Sequence, residues 1–166
     1  MKHTHTKMER GPLTTETLNK VAKEYCALLA KRIRKNRIND ERPNMSKFGY
    51  NIPKVVASCT SISPPYFVCR GRNNKDLQNP HPLLRAAYPP LKGDGKPRNQ
   101  SIIGVPYYPA GHCAEPHAAH TLLLNMDLYG KPIAIKDIRF SLAFSVKNQS
   151  VVPYCGTCRL TFPQLR

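Results

Sequence analysis

Three cysteines in two short motifs carry the most specific chemistry in this sequence. Cys155 and Cys158 are separated by two residues, and Cys113 lies well before them in the chain. Both motifs stand at predicted helix starts, where backbone amides lower the pKa of a thiol and favour the thiolate. Thiolates at this spacing are typical ligands of a cation such as Zn²⁺. Three protein ligands leave the fourth zinc position open for water, as in catalytic zinc sites.

Glu115 follows Cys113 by two residues, so its carboxylate can reach a water on the metal without being a ligand. Zinc lowers the pKa of such a water towards about 7, and a nearby carboxylate can accept the proton and deliver it to a leaving group. Three thiolates give the site a net negative charge, which weakens the metal as a Lewis acid. Arg159 and His112 are candidates to offset this charge, although Arg159 is also compatible with an ordinary surface arginine.

Other interpretations of the cysteines stay open from the sequence. A structural zinc site would complete its coordination with His112 or His117, but such a site gives Glu115 no role. A redox Cys-x-x-Cys pair is a further alternative. The other three cysteines are typical of small buried residues, although Cys59 and Cys69 are spaced for a disulfide across a hairpin.

The segments HCAE (112–115) and PYCGTC (153–158) resemble the signature of the zinc-dependent cytidine deaminase superfamily, H-x-E with P-C-x-x-C, in its three-cysteine variant. The resemblance covers residues 54–160. The sequence GHCAEPHA and the basic N-terminal extension are most like the YwqJ-like polymorphic-toxin deaminases. The chain differs from the family in one residue inserted between the proline and the first cysteine of the second motif.

The resemblance implies a role for each residue of these motifs. The implied zinc ligands are Cys113, Cys155 and Cys158, and the implied general acid and base is Glu115. The implied substrate-binding residues are Asn73, His112 and Tyr154. Asn73 ends the segment FVCRGRN, which is similar to a family strand whose asparagine contacts the sugar, and the inserted Tyr154 is expected beside the target base.

The charge of the chain indicates a polyanionic partner. The 26 Lys and Arg residues against 10 Asp and Glu residues give a net charge of +16. Residues 1–100 contain 20 basic and 7 acidic side chains, whereas residues 101–166 contain 6 and 3, so the basic surface comes mostly from the first part of the chain. Nucleic acid is the expected partner, because a polymer of phosphates is the common ligand of such a surface.

Together these features predict a zinc-dependent hydrolase that converts cytosine to uracil in single-stranded or duplex DNA, with RNA as a less favoured substrate. The alternatives are a deaminase of free cytidine and a non-catalytic, zinc-stabilised module that binds nucleic acid. The resemblance to toxins also implies an effector role and an acidic immunity protein as a second partner.

No membrane partner is expected from the sequence. It contains neither a run of about 18 to 20 apolar residues nor an N-terminal signal peptide. The location stays open, with delivery of a toxin into the cytosol of a target cell as the expectation that follows from the resemblance.

The elements that must position these residues follow from local patterns. Residues 1–12 are predicted to be a flexible tail, and residues 13–166 a single deaminase-like domain. Within it, 13–50 contain a basic helix capped by Thr14 or Thr15 and a connection, and 54–160 form the zinc deaminase core.

The core pattern begins with strands over 54–62 and 66–72, a loop with one short helix over 73–110 and a helix from Ala114 to about Tyr129. A β-rich run over 133–146 follows, predicted as a strand led in by a short turn around Lys136 and Asp137, and a short helix comes after Pro153. This order predicts an α/β, cytidine-deaminase-like three-layer fold. Its small mixed β-sheet is covered by helices and lacks the usual C-terminal strands of the family.

Overall fold

A computed structural model describes residues 6–39, 52–73 and 77–166, and within these ranges the chain forms six strands and four α-helices. The strands are β1 (Thr6–Glu9), β2 (Val55–Ser61), β3 (Tyr66–Arg72), β4 (Ile138–Phe140), β5 (Ala143–Ser145) and β6 (Val151–Val152). The α-helices are α1 (Thr15–Asn39), α2 (Pro82–Ala87), α3 (Ala114–Leu128) and α4 (Gly156–Thr161). Short 3₁₀ helices cover Ile135–Asp137 and Pro163–Leu165. None of the helices in the described ranges is long and apolar enough to cross a membrane.

The sheet has the strand order β1-β3-β2-β5-β6, and β4 also pairs with β2. All pairings between the described strands are antiparallel, so the prediction of a mixed sheet is wrong. The physical reason lies in β2. Helix α3 connects β3 to β4, and these two strands run in the same direction, but β2 lies between them and runs the opposite way.

The predicted strand over 133–146 is interrupted by a β-bulge. Cys59 pairs with Phe140 and Val56 with Phe144, so three steps along β2 correspond to four steps from β4 to β5. An extra residue on one strand bends it and leaves backbone groups without their regular partners. Side chains supply these partners: the Ser141 hydroxyl accepts a hydrogen bond from the backbone of Ser58, and Asn19 of α1 accepts one from Leu142.

Helices cover both faces of the sheet, as expected. Val56 packs into an apolar cluster with α1, whereas Cys59 packs into a second cluster with α3. Residues an odd number of positions apart on a strand point to opposite faces, so α1 and α3 lie on opposite sides of β2. Thr14 accepts a hydrogen bond from the backbone of Thr17, which confirms the predicted start of α1.

The prediction of a flexible tail over residues 1–12 does not hold for Thr6–Glu9, which forms β1 and pairs with β3. This segment has only four residues, two of them charged, so the alternation of apolar and polar side chains is too weak to predict a strand. As an edge strand, β1 needs only one partner, and β3 provides it. Residues 1–5, and residues 40–51 of the connection predicted over 39–53, lie outside the described residues.

Candidate metal centre

The three predicted cysteine ligands converge in the structure. Cys113 is the N-cap of α3, Cys155 is the N-cap of α4, and Cys158 lies in the first turn of α4. Their sulfur atoms all lie within 4.8 Å of one another, and Cys113 Sγ is 3.1 Å from Cys155 Sγ. All three are free thiols, and a metal ion could be held between them.

The donor set fits a tetrahedral cation. Zinc–sulfur bonds of about 2.3 Å at tetrahedral angles place two sulfurs about 3.8 Å apart, which lies inside the separations found here. Hydrogen bonds with the sulfurs of Cys113 and Cys158 lower the pKa of the Cys155 thiol to about 3. The hydrogen bond with Cys155 raises the pKa of Cys113, and hydrogen bonds with Cys113 and Cys155 raise the pKa of Cys158. A bound cation would replace the thiol protons in these hydrogen bonds.

The position of Cys113 depends on the close approach of α3 to β3. Gly71 of β3 lies against the first turn of α3, and a Cβ on this glycine would overlap the carbonyl oxygen of Ala114 and the amide nitrogen of Ala118. Because Gly71 has no side chain, the start of α3 can rest directly on the sheet. This contact sets the distance of Cys113 and Glu115 from β3.

A loop fixes the start of α4 in a similar way. The ring of Tyr107 covers Gly156, where a Cβ would overlap the ring. The Gly156 amide donates to the carbonyl of Pro106 at 2.8 Å, and the Thr157 hydroxyl donates to the carbonyl of Tyr108 at 2.5 Å. The loop therefore holds the first turn of α4, which carries two of the three sulfurs.

Glu115 lies beside the sulfurs, as its spacing from Cys113 predicts. Its side chain is 3% exposed, and Oε2 lies 3.6 Å from Cys158 Sγ. Burial raises the pKa of this carboxyl to about 7. A carboxyl with this pKa is close to balance between its protonated and ionised forms at neutral pH, which suits a group that both accepts and donates a proton.

A pocket of about 300 Å³ opens onto the cluster, and we call it the candidate pocket. Cys113, Cys155 and Glu115 line one wall of it. Its other walls are Ile52, Lys54, Val55, Asn73, Tyr108, His112, Ala114, Ala143, Val152 and Pro153. The volume is at the lower end for small-molecule sites, and the wall combines apolar surface with a few polar groups, as such sites do.

Two predicted substrate-binding residues, Asn73 and His112, line the candidate pocket. Asn73 Oδ1 accepts hydrogen bonds from the backbone of Lys54 and Val55, both at 2.8 Å, so its oxygen is used to hold the start of β2. The His112 ring packs against the ring of Tyr108 with 5.4 Å between centroids. The cluster of possible ligands among the described residues contains the three cysteines and neither His112 nor His117.

Tyr154 and Arg159 lie elsewhere. Pro153 and Cys155 line the candidate pocket, while Tyr154 between them points away, as alternate residues of an extended segment do. The Tyr154 hydroxyl donates to the carbonyl of Ser141 at 2.7 Å, and burial raises its pKa to about 12. Arg159 Nε donates to the carbonyl of Tyr154 at 3.2 Å. Both residues therefore brace the start of α4 against the β-bulge and do not face the candidate pocket.

Lys54 and Val152 of the pocket wall are not identifiable from the sequence. They come from separate segments and meet only through the pairing of β2 with β5 and of β5 with β6. The tyrosine pair before α3, Tyr107 and Tyr108, is a local signal in the sequence, compatible with stacking on a base or with packing in the core. The structure divides its roles, because Tyr107 packs on Gly156 while Tyr108 lines the candidate pocket.

Comparisons with family models, with curated proteins and with solved structures found no match to this chain.

Proposed function

We propose that this protein is a zinc-dependent hydrolytic deaminase that converts cytosine to uracil in nucleic acid, with DNA favoured over RNA. The observation that carries the proposal is the buried Glu115 carboxyl, 3.6 Å from Cys158 Sγ at the wall of a pocket that also contains Cys113 and Cys155. A structural zinc site needs neither the carboxyl nor the pocket.

The arrangement of elements supports a deaminase-like fold. Strands β2 and β3, helix α3 with the first motif, β4 and β5, and helix α4 with the second motif follow one another in the order that the resemblance implies. Helices on both faces of the sheet agree with three layers. The antiparallel sheet of six strands is the part of the fold that departs from the expectation.

The chemistry assigns distinct roles to the residues of the site. Cys113, Cys155 and Cys158 would hold Zn²⁺, which would supply a water whose pKa is lowered towards about 7. Glu115 accepts a proton from the attacking water and delivers it to the leaving amino group. The products are uracil and ammonia: the oxygen of water becomes the C4 carbonyl oxygen, one of its protons goes to ring N3, and the other goes to the departing amino nitrogen.

The charge supports a polymeric substrate. A free nucleoside carries no phosphate, so it offers nothing for a net charge of +16 to attract, whereas a nucleic acid does. Lys54, which is exposed, lines the candidate pocket. An effector role with an acidic immunity protein extends the proposal, since such a partner would cover the same basic surface.

One experiment tests the activity. The zinc-loaded protein is incubated with single-stranded DNA, duplex DNA, RNA and free cytidine, and conversion is read by sequencing and by chromatography. The expected result is conversion in DNA and loss of conversion in Glu115→Gln, with zinc content near one per chain in both proteins. Conversion of cytidine alone would refute the polymer substrate. Zinc binding without any conversion would favour the non-catalytic module.

A further inference from the structure

A second depression of about 640 Å³ lies next to the candidate pocket, and we call it the basic groove. It runs between the second half of α1 and the end of the sheet where β2 begins and β5 ends. Ile33, Ile52 and Val146 form part of its floor. The backbone bond from the Val146 amide to the Lys54 carbonyl, at 2.9 Å, holds the sheet side of the groove together.

The rim of the basic groove is positively charged. Arg34, Lys54 and Lys147 line it, and all three are exposed. No acidic side chain lines the groove in the described part of the chain. The ion pairs found among the described residues involve other side chains, so these three cations are not neutralised by a described carboxylate.

The basic groove and the candidate pocket are continuous. Ile52 and Lys54 belong to the walls of both. A chain that lies in the groove therefore passes the mouth of the pocket at Lys54. This continuity distinguishes Arg34 and Lys147 from the other exposed cations in the described part of the chain, because they extend from the candidate pocket in one direction.

We propose that the basic groove binds the sugar-phosphate backbone of a single nucleic-acid strand, on one side of the nucleotide whose base enters the candidate pocket. This inference rests on the proposed function. The three cations match phosphates, and the apolar floor suits sugar carbons. No aromatic side chain lines the groove among the described residues, so it offers no platform on which bases stack. The groove therefore binds the strand through its backbone, independently of the base sequence.

The expected effect follows from counterion release. Each phosphate contact with a single strand contributes a slope of about −0.7 to the dependence of log K on log salt, so three contacts contribute about −2. Neutralising the three cations should therefore reduce the slope by about 2 and weaken binding about 100-fold at 0.1 M salt.

The test compares two triple variants of the full chain. Arg34→Gln, Lys54→Gln and Lys147→Gln together neutralise the groove. The control, with the same change in net charge, combines substitutions at three exposed lysines that line neither the groove nor the pocket: Lys20→Gln, Lys131→Gln and Lys136→Gln. Fluorescence anisotropy measures the binding of an oligothymidylate, which contains no cytosine, across a salt series.

The groove variant should bind the oligothymidylate about 100-fold more weakly than wild type at 0.1 M salt, whereas the control variant should bind it less than tenfold more weakly. Equal losses in both variants, or binding by the groove variant as tight as wild type, would overturn it. Displacement of the oligonucleotide by polyglutamate at equal charge would also overturn it and would point to an acidic protein as the occupant. If the triple variant does not fold, Lys147→Gln alone should reduce the slope by about 0.7, and an unchanged slope would overturn the proposal.

The two proposals fail separately. Absence of cytosine conversion with the expected binding differences would refute the deaminase and retain the groove as a nucleic-acid site. Conversion in DNA with equal binding losses in both triple variants would refute the groove and retain the deaminase.

Discussion

Gly71→Ala is the substitution that most directly tests how the fold positions the site. The new Cβ would lie 2.5 Å from the amide nitrogen of Ala118 and closer still to the carbonyl oxygen of Ala114. Both atoms belong to the backbone of α3, so no side chain can rotate to make space. The start of α3 must therefore move away from β3, and it carries Cys113 and Glu115 with it.

The size of the movement follows from ordinary contact distances. A Cβ needs about 3.0 to 3.4 Å from a backbone atom, so the contact with the Ala118 nitrogen alone requires a shift of about 0.5 to 0.9 Å, and the closer contact with the Ala114 oxygen requires more. Overpacking of this kind lowers the free energy of unfolding by about 1–3 kcal/mol. Metal sites tolerate only about 0.2 Å in ligand distance, so the same shift should weaken zinc binding about 10- to 100-fold.

Two measurements check this prediction. Denaturant unfolding of the metal-free protein gives the change in stability, and competition with a chromophoric chelator gives the change in zinc affinity. Gly93→Ala is the matched control, because a Cβ at Gly93 meets no atom within 4 Å. Zinc affinity and stability of Gly71→Ala that equal those of the control would refute the argument that this glycine sets the position of α3.

Three further substitutions probe the rest of the site. Gly156→Ala should displace the ring of Tyr107 and lower the free energy of unfolding by about 1–3 kcal/mol, measured by denaturant unfolding, and unchanged stability would contradict the packing described. Tyr154→Phe leaves the buried Ser141 carbonyl without its 2.7 Å hydrogen bond and should lower the free energy of unfolding by about 1–3 kcal/mol. The KM for a DNA substrate should stay the same, and a raised KM would instead place the tyrosine at the substrate. Cys158→Ser removes one sulfur and should weaken zinc binding at least 100-fold in the chelator assay, and near wild-type affinity would show that this cysteine is not a ligand.

The longer elements were predictable because their signals are local. Apolar residues at helical spacing predicted α1 and α3, and β-branched and aromatic residues predicted β2 and β3, with the bounds of β3 at Tyr66 and Arg72. Strands β1 and β6 were not predicted. Strand β1 has four residues and β6 has two, so neither shows a clear local pattern. Their stability comes from pairing with β3 and β5.

In the candidate site, too, some residues were predictable from local spacing and others depended on the tertiary structure. Cys113, Glu115 and the Cys155–Cys158 pair were recognisable, because their spacing within a helix turn already brings donor atoms together. Tyr154 was expected beside a substrate base, but its direction depends on which side of an extended segment it occupies. The sequence does not contain that information, because the β-bulge near Ser141 supplies the partner that holds the tyrosine hydroxyl.

The sequence by itself determined the chemistry that is available: three sulfur donors, a carboxyl two residues from one of them, and a charge suited to a polyanion. Only the tertiary structure decided which groups share a space. The pairing of β2 with β3 and β5 brings Lys54, Asn73 and Ala143 to one pocket. The packing of α3 on Gly71 and of the Tyr107 ring on Gly156 brings the two motifs to one centre. These contacts join residues far apart in the chain, where distance is set by packing and not by spacing in the sequence.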